Sequence, residues 1–351
     1  MELEIYFSND KTKVMVISPI GRIDETIDYV NRFKYRYDYL LIIGNGFDLS
    51  LGLPTTYRNF VESCIFKKMY VKRQQEKRKK KKIKPSLIDY LYGKKFYERW
   101  YDIEAAILEY VSRKPDGSFV NNIEEDKRDF ELVSDALVEY LSNILRKLNG
   151  NDFEKMNTLP AGQLLKALYS SRSIEYSFNY TPIEDALEAS GDSNKIHGEV
   201  TLKTIEKGNV KDSQIILGID TNDLNSIAPG YSFLIKSNNS AIRSSNIVLD
   251  LLNSKEVIFF GHSLNQMDFG YFDEYFRALT TNTDKYRRLT IITKDNSSRI
   301  ETLDTLRKMR IPVRDLFTHT NIKIILSDDI DEEGTDSAIH FKDLIDRIKS
   351  Y

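Results

Sequence analysis

Two spacings of apolar residues alternate along this chain. Runs that are apolar at nearly every position occur at Tyr39–Ile43, Ile174–Phe178, Ile215–Ile219, Val257–Phe260, Leu289–Thr293 and Ile322–Leu326. Short unbroken runs of this kind are expected of strands in a parallel sheet covered on both faces. Between them lie stretches with apolar residues three and four apart, the period of a helix with one buried side. Tyr57–Val71 offers Phe60, Cys64, Phe66 and Tyr70 and then dissolves into a lysine run, while Tyr97–Ser112 offers Trp100, Ile103, Ile107, Leu108 and Val111. A longer repeat from Phe130 to Leu148 is predicted to stop at Gly150, and Phe269–Leu279, Ser297–Met309 and Ser337–Ile348 complete the helices. At the N-terminus, Leu3–Phe7 and Val14–Ser18 read as strands around Ser8-Asn9-Asp10, followed by a helix over Asp24–Phe33. The predicted fold is α/β, a Rossmann-like doubly wound parallel sheet with a large, mainly helical insertion. Residues 1–37 form an N-terminal addition, 38–56 and 171–330 the core, 57–170 the insertion, and 331–351 a C-terminal helix.

The run at Tyr39–Ile43 passes directly into Gly44-Asn45-Gly46-Phe47-Asp48. A strand entering a glycine turn suits a nucleotide pocket, because glycine lets the backbone approach a ligand, and a helix starting near Thr55 would aim free N–H groups at a pyrophosphate. The spacing departs from G-x-G-x-x-G, since Leu49 stands in the third glycine's place and the next glycine is Gly52. A turn that only joins strand to helix remains an equal reading of the spacing alone.

In a parallel sheet the segments after each strand share one rim, where ligands bind. That rim is predicted to collect Asn179-Tyr180-Thr181, Ile196-His197-Gly198 and Gly261-His262-Ser263-Leu264-Asn265-Gln266-Met267-Asp268 beside the glycine turn. Each has a plainer use: Asn179 as a helix cap or Asx turn, His197 as a hydrogen-bonded turn residue, Asp48 as a cap. Gly261-His262-Ser263 falls short of a G-x-S-x-G nucleophile elbow because Asn265 replaces the second glycine.

At 351 residues and 41% hydrophobic, the chain can bury a sizeable core. It has no apolar stretch near the ~20 residues of a membrane helix and no basic-then-apolar start, so a cytoplasmic protein without a membrane partner is expected. Cys64 is the sole cysteine, which excludes an internal disulfide, and with four histidines it builds no zinc site. Lys72–Lys84 holds nine Lys/Arg against one Glu, a local charge of +8 that leaves −10 on the rest of a chain totalling −2. The run lacks interleaved aromatics for base stacking, so a solvated helix extension or mobile loop is favoured over nucleic-acid contact.

In its motifs and their order the chain resembles the AbiH family of bacterial phage abortive-infection proteins, which looks like a branch of the sirtuin-like superfamily of NAD-binding folds. The resemblance rests on the Leu41–Tyr57 motif, on Trp100-x-Asp102-x-Glu104, on Phe178-Asn179-Tyr180-Thr181, on Ile196-His197-Gly198, and on Gly261-His262-Ser263-Leu264 with Asp268; it spans roughly residues 38–330. It implies hydrolysis of NAD, as substrate, at the nicotinamide–ribose bond, with no metal and no zinc-dependent deacetylation. Asn179 would orient ribose hydroxyls and water, and His197 would accept a proton. The Gly44–Asn45–Gly46 turn would hold pyrophosphate, Gly261 and Ser263 would flank the dinucleotide, and Asp48 and Asp268 would position ribose or backbone. Glu104 would reach the cleft if its helix folds over it. The insertion and the N-terminal strands are the surfaces for self-association or a defence partner protein. A non-catalytic nucleotide-binding sensor or adaptor is the alternative, and nucleic-acid binding through the basic run ranks last.

Overall fold

The computed structural model describes residues 4–7, 14–17, 35–81, 84–94, 102–112, 114, 118, 120–187, 193–220, 224–239, 245–265 and 267–350. Strands β1 (Glu4–Phe7) and β2 (Val14–Ile17) pair antiparallel, as the pattern predicts. The turn at 8–10 and the helix expected over 24–33 lie outside the described residues, as does Trp100.

The core sheet contains β3 (Tyr37–Ile43), β4 (Ser173–Ser177), β5 (Asn194–Lys195), β8 (Ser254–Phe260), β9 (Arg288–Thr293) and β10 (Asn321–Leu326). All are parallel, in the order β10-β9-β8-β3-β4-β5. β3 sits in the middle because Leu40, Leu41, Ile42 and Ile43 are apolar towards both faces and wholly buried, each burial worth about 1.5–3 kcal/mol. From β3 the chain builds outwards through β4 and β5, then returns to β8 and builds the other way, which opens a crevice at the carboxyl ends of the central strands. Ile215–Ile219, expected as a sheet strand, is not one. Only β7 (Gln214–Ile215) is extended, paired antiparallel with β6 (Gly198–Glu199), while Ile216, Leu217 and Ile219 are buried, the last two in the core of the insertion.

Helices cover both sheet faces. On one lie α1 (Asn45–Ser50), directly after β3, and further along the chain α8 (Pro160–Leu168) and α15 (Asp336–Lys349), packed around Leu41, Ile43 and Phe260. The closing helix is thus part of the sheet's own core. On the other face lie α11 (Ile247–Leu252), α12 (Asp273–Thr280), α13 (Asn296–Lys308) and α14 (Val313–His319), around Leu40, Ile42, Val257 and Phe259.

The insertion contains α2 (Tyr57–Glu62), α3 (Cys64–Lys79), α4 (Leu87–Lys94), α5 (Ile103–Val111), α6 (Ile123–Leu145) and α7 (Gly150–Thr158), followed by α8. Two sequence expectations change here. The helix expected over Tyr57–Val71 is two helices, because Ser63 is extended at ψ 159° and its hydroxyl accepts from Phe66 N, a cap that restarts the helix. Gly150 does not stop α6; it opens α7, whose capping box joins Asn149 and Asp152. The insertion has its own core, shared with Tyr180, Tyr231 and Leu234, so α10 (Leu202–Lys207) and the segments around it tie it to the sheet, while α9 (Ile183–Ala186) places Ile183 in the sheet's own core. Among the described residues no helix is long and apolar enough to cross a membrane.

The basic run continues α3 to Lys79, the helix extension of the two expected alternatives, but it is not wholly solvated. Arg73 is 1% exposed and Lys77 is buried, with Arg73 Nε bonded to Asp129 at 2.6 Å and Lys77 Nζ to Asp89 at 2.6 Å. The apolar spacing hid this, because the buried face of α3 is completed by cations whose partners lie on α4 and α6.

Candidate functional site

The glycine turn is built differently from the expectation. The first helix begins at once, at Asn45, rather than near Thr55. Gly44 N–H donates to Phe260 O at 3.0 Å and Gly46 N–H to Gly261 O at 2.9 Å, so these two amides hold the turn against the end of β8 and do not face a phosphate. Contact selects the glycines: a Cβ on Gly44 would stand 2.5 Å from His262 Cα, and one on Gly46 2.6 Å from Gly261 Cα. Gly261 has φ +63° and lies against Gly46 and Phe47 N, which leaves no room for a side chain. Three glycines thus fuse the β3 and β8 ends into one rigid corner.

Asn179 follows β4 and bridges to that corner. Its Nδ2 donates to Gly44 O at 3.1 Å and to Asp48 Oδ1 at 2.7 Å, which makes it neither a helix cap nor an Asx turn. Asp48 Oδ2 accepts from Thr181 Oγ1 at 2.6 Å. Asp48 is 1% exposed; burial, with nearby Glu184 adding to it, pushes its carboxyl up to about 7 although both hydrogen bonds favour the charged form. Beside these residues is a cavity of about 60 Å³ reached by Asn45, Thr55, Tyr57 and Tyr180. It is roofed by the 53–57 segment, tied down by Thr55 Oγ1 to Asn45 at 2.7 Å and by Tyr140 OH to Pro54 O at 2.6 Å.

His197 lies just past β5, on the other side of the Phe178 ring, whose centroid is 5.3 Å from the imidazole's. Its Nε2 stands 3.3 Å from Asp268 Oδ1 and 3.3 Å from Lys236 Nζ. Lys236 Nζ pairs with Glu104 Oε2 at 2.7 Å and lies 3.6 Å from Asp268 Oδ1. His262 completes the group: Nδ1 accepts from Leu264 N at 3.0 Å, which puts its proton on Nε2, 3.6 Å from Asp268 Oδ2. All five side chains are buried.

Burial lowers His262 to about 4, so that imidazole is neutral at neutral pH. Burial also raises the Glu104 carboxyl, opposed by Lys236. Burial works against the charged forms of Lys236 and Asp268 as well, yet opposite charges prevail: Glu104 and Asp268 raise Lys236, and His197 with Lys236 hold Asp268 far below the ordinary carboxylate range. Tyr57 and Tyr180 join the two halves of the site, since Tyr180 OH reaches Glu104 at 3.4 Å and bonds Tyr57, which lines the cavity beside Asp48.

The predicted residues therefore meet, in two adjoining groups. Gly44, Asn45, Gly46, Asp48, Asn179 and Gly261 form the corner and its cavity, and His197 and Asp268 lie in the charged cluster. Ser263 is exposed on the rim. Glu104 reaches the cluster from the first turn of α5, whose N-cap is Asp102, with Glu104 N bonded to Asp102 at 2.8 Å. Lys236 escaped the sequence analysis: it carries no motif, and its only signal is a lysine closing the apolar run Phe233-Leu234-Ile235. His262 belongs to an expected rim segment and to a motif of the resemblance, but nothing in the sequence assigned it a role of its own. Among the described residues no group of three or more His, Cys, Asp or Glu is placed to hold a metal ion.

No curated protein and no solved structure matches the chain. The family model for bacteriophage abortive infection AbiH matches residues 40–291, from the glycine-turn strand through β9 and across every residue of the site just described. The chain belongs to the AbiH family, and with it to abortive-infection defence against bacteriophage.

Proposed function

We propose that this defence protein hydrolyses NAD at the nicotinamide–ribose bond and is kept silent until infection provides a trigger. The observation that carries the reading is the convergence of Asn179 and His197, from two segments of the chain, on the carboxyl-end rim of a parallel sheet whose strand order reverses beside β3. That order is the one used by doubly wound, Rossmann-like nucleotide folds, and the sirtuin-like relationship suggested by the motifs is part of the same proposal.

The chemistry suits the groups present. The C–N bond breaks with its electron pair moving to the nicotinamide nitrogen, which neutralises the pyridinium and leaves positive charge on the ribose. Acidic side chains in a buried site stabilise that charge far better than water does. Water oxygen then bonds to C1′ and its proton passes to His197, a general base of suitable type. Asn179, held by Asp48 and Gly44, orients ribose hydroxyls and the water. Asn45 and Asp48 border the ribose side, with Gly44, Gly46 and Gly261 shaping the corner and Ser263 and Asp268 flanking the dinucleotide. A cavity of about 60 Å³ is far below the roughly 300–1,000 Å³ of a ligand pocket, so binding requires the 53–57 roof to lift. That closure fits a toxic activity held off at rest.

A second reading, a nucleotide-binding sensor or adaptor without turnover, draws on the same closed cleft. Nicotinamide release from NAD by purified protein over a wide concentration range separates the two. Release by wild type, abolished in folded Asn179→Ala and His197→Ala, is the expected result. Bound NAD with no release at any concentration favours the sensor, and absence of NAD binding overturns both nucleotide assignments.

A further inference from the structure

Within the charged cluster, one carboxylate oxygen is left over. Asp268 Oδ1 is buried and has no well-aligned hydrogen-bond donor, although His197 Nε2 is 3.3 Å away and Lys236 Nζ 3.6 Å. Buried carboxylate oxygens are ordinarily satisfied, so an orphan at a rim of this kind needs a cause. Lys236 supplies it. An ammonium has donors and no acceptor, so the His197 Nε2 atom 3.3 Å from Nζ must present its lone pair. The proton of a neutral His197 then sits on Nδ1, and Nε2 has nothing to give to Asp268.

We infer that Lys236, anchored by Glu104, is a positioning residue that holds resting His197 as the Nδ1–H tautomer, its Nε2 unprotonated, and that Asp268 is the counter-charge for the imidazolium formed when Nε2 takes a proton. The inference rests on the NAD-hydrolysis reading for its purpose but not for its geometry. When water attacks, its proton takes the Nε2 lone pair in place of the Lys236 contact, the imidazole becomes a cation, and Asp268 Oδ1, 3.3 Å from that nitrogen, is its counter-charge. Hydroxide is transferred to C1′, so one water is consumed and the proton is stored on the ring. Glu104 and Asp268 set two carboxylates against the single charge of Lys236, and Asp102 adds a further carboxyl, so the cluster accommodates one further positive charge. The other groups facing it are His262, neutral through burial, the Asp102 carboxyl, raised by burial, the phenols of Tyr180 and Tyr57, both raised well above their ordinary range by burial, and the Tyr271 phenol, also raised by burial. This arrangement also explains why the insertion matters to the site: α5 delivers Glu104, without which Lys236 would be a lone buried cation.

The test reads the ring itself. Nitrogen NMR of the four histidines, with His197 assigned from His197→Ala, reports tautomer and titration in the full-length protein whether or not it turns NAD over. The wild type is expected to show His197 as the Nδ1–H form. Lys236→Met should switch it to Nε2–H, because Asp268 then faces that nitrogen with no cation beside it. Lys236→Arg should keep the wild-type tautomer. An Nε2–H ring in the wild type overturns the inference, even if Lys236→Met fails to fold. So does an unchanged ring in folded Lys236→Met. If the NMR results hold and no NAD is cleaved, the positioning stands and the NAD assignment falls.

Discussion

Two buried polar clusters, both assembled across the insertion, differ in the kind of atom they leave unmatched. Between α3, α4 and α6, Arg73 and Lys77 meet Asp89, Asp129 and Glu125 beside Asp126, and each oxygen of Asp126 and Asp129 has a donor, while Arg73 Nη1 is buried without a hydrogen-bond acceptor. Asp126 Oδ1 accepts from Leu87 N at 2.7 Å and Oδ2 from Tyr110 at 3.0 Å. Asp129 Oδ1 takes Arg73 Nε at 2.6 Å and Oδ2 takes Ile88 N at 3.2 Å. At the rim, Glu104, Asp268, Lys236, His197 and His262 are also buried, and the unmatched atom is instead an acceptor, Asp268 Oδ1. A network whose carboxylates are all satisfied rigidifies, because any rearrangement strands a charge. One with an unmatched carboxylate oxygen carries negative charge that a proton arriving nearby offsets.

The largest effect that would break this comparison is expected from Arg73→Met. Removing one partner of a buried ion network leaves uncompensated carboxylates, at a cost of about 3–5 kcal/mol. Urea unfolding should show that loss while nicotinamide release per folded molecule stays unchanged; a midpoint close to wild type would mean that this network is dispensable.

Asp48 sharpens the comparison, because both its oxygens are satisfied but by neutral donors. Its carboxyl is raised to about 7 in the folded state, above its ordinary value of 3.8, so the native protein binds more protons than the unfolded chain between those values. Stability therefore falls as pH rises through this window and levels off above it, by on the order of 4 kcal/mol. Asp48→Asn should flatten the curve between pH 5 and 7.5 and be the more stable protein at its upper end. A wild-type stability that climbs across this range through Asp48 would contradict the assignment.

The smallest effect belongs to the exposed end of α3. Changing Lys79, Lys80 and Lys81 together to Gln is expected to alter stability by no more than about 0.5 kcal/mol, since these side chains are exposed. A shift near that of Arg73→Met would show that the whole run, and not its buried face, locks the insertion.

Much of the architecture was readable before any coordinates. Five of the six unbroken apolar runs are strands of the parallel sheet, because burial on both faces demands apolar residues at every position and leaves a local signal. Ile215–Ile219 carries the same signal without being a sheet strand, since its side chains are buried by the insertion instead; a continuous apolar run reports burial and not pairing. The split at Ser63 and the reversal at Gly150 turned on single caps, whose effect depends on the dihedral angles of one residue. Asn179, His197, Asp48 and Asp268 gather at the expected rim because parallel topology sends every strand's C-terminal segment there. Glu104 was half found, as a helix acid that reaches the cleft only if the insertion folds over it, and it does.

By itself, then, the amino-acid order determined which segments would be strands and helices, that the strands would lie parallel, and which polar segments would gather at their ends. These follow from patterns a few residues long. Tertiary structure alone decided that the turn glycines pack against Gly261 with two amides already engaged, that Arg73 and Lys77 are interior residues, and that Lys236 stands against His197. Those outcomes depend on distances between residues tens to hundreds of positions apart, and burial reassigns the meaning of a charge only once its neighbours from other elements are in place.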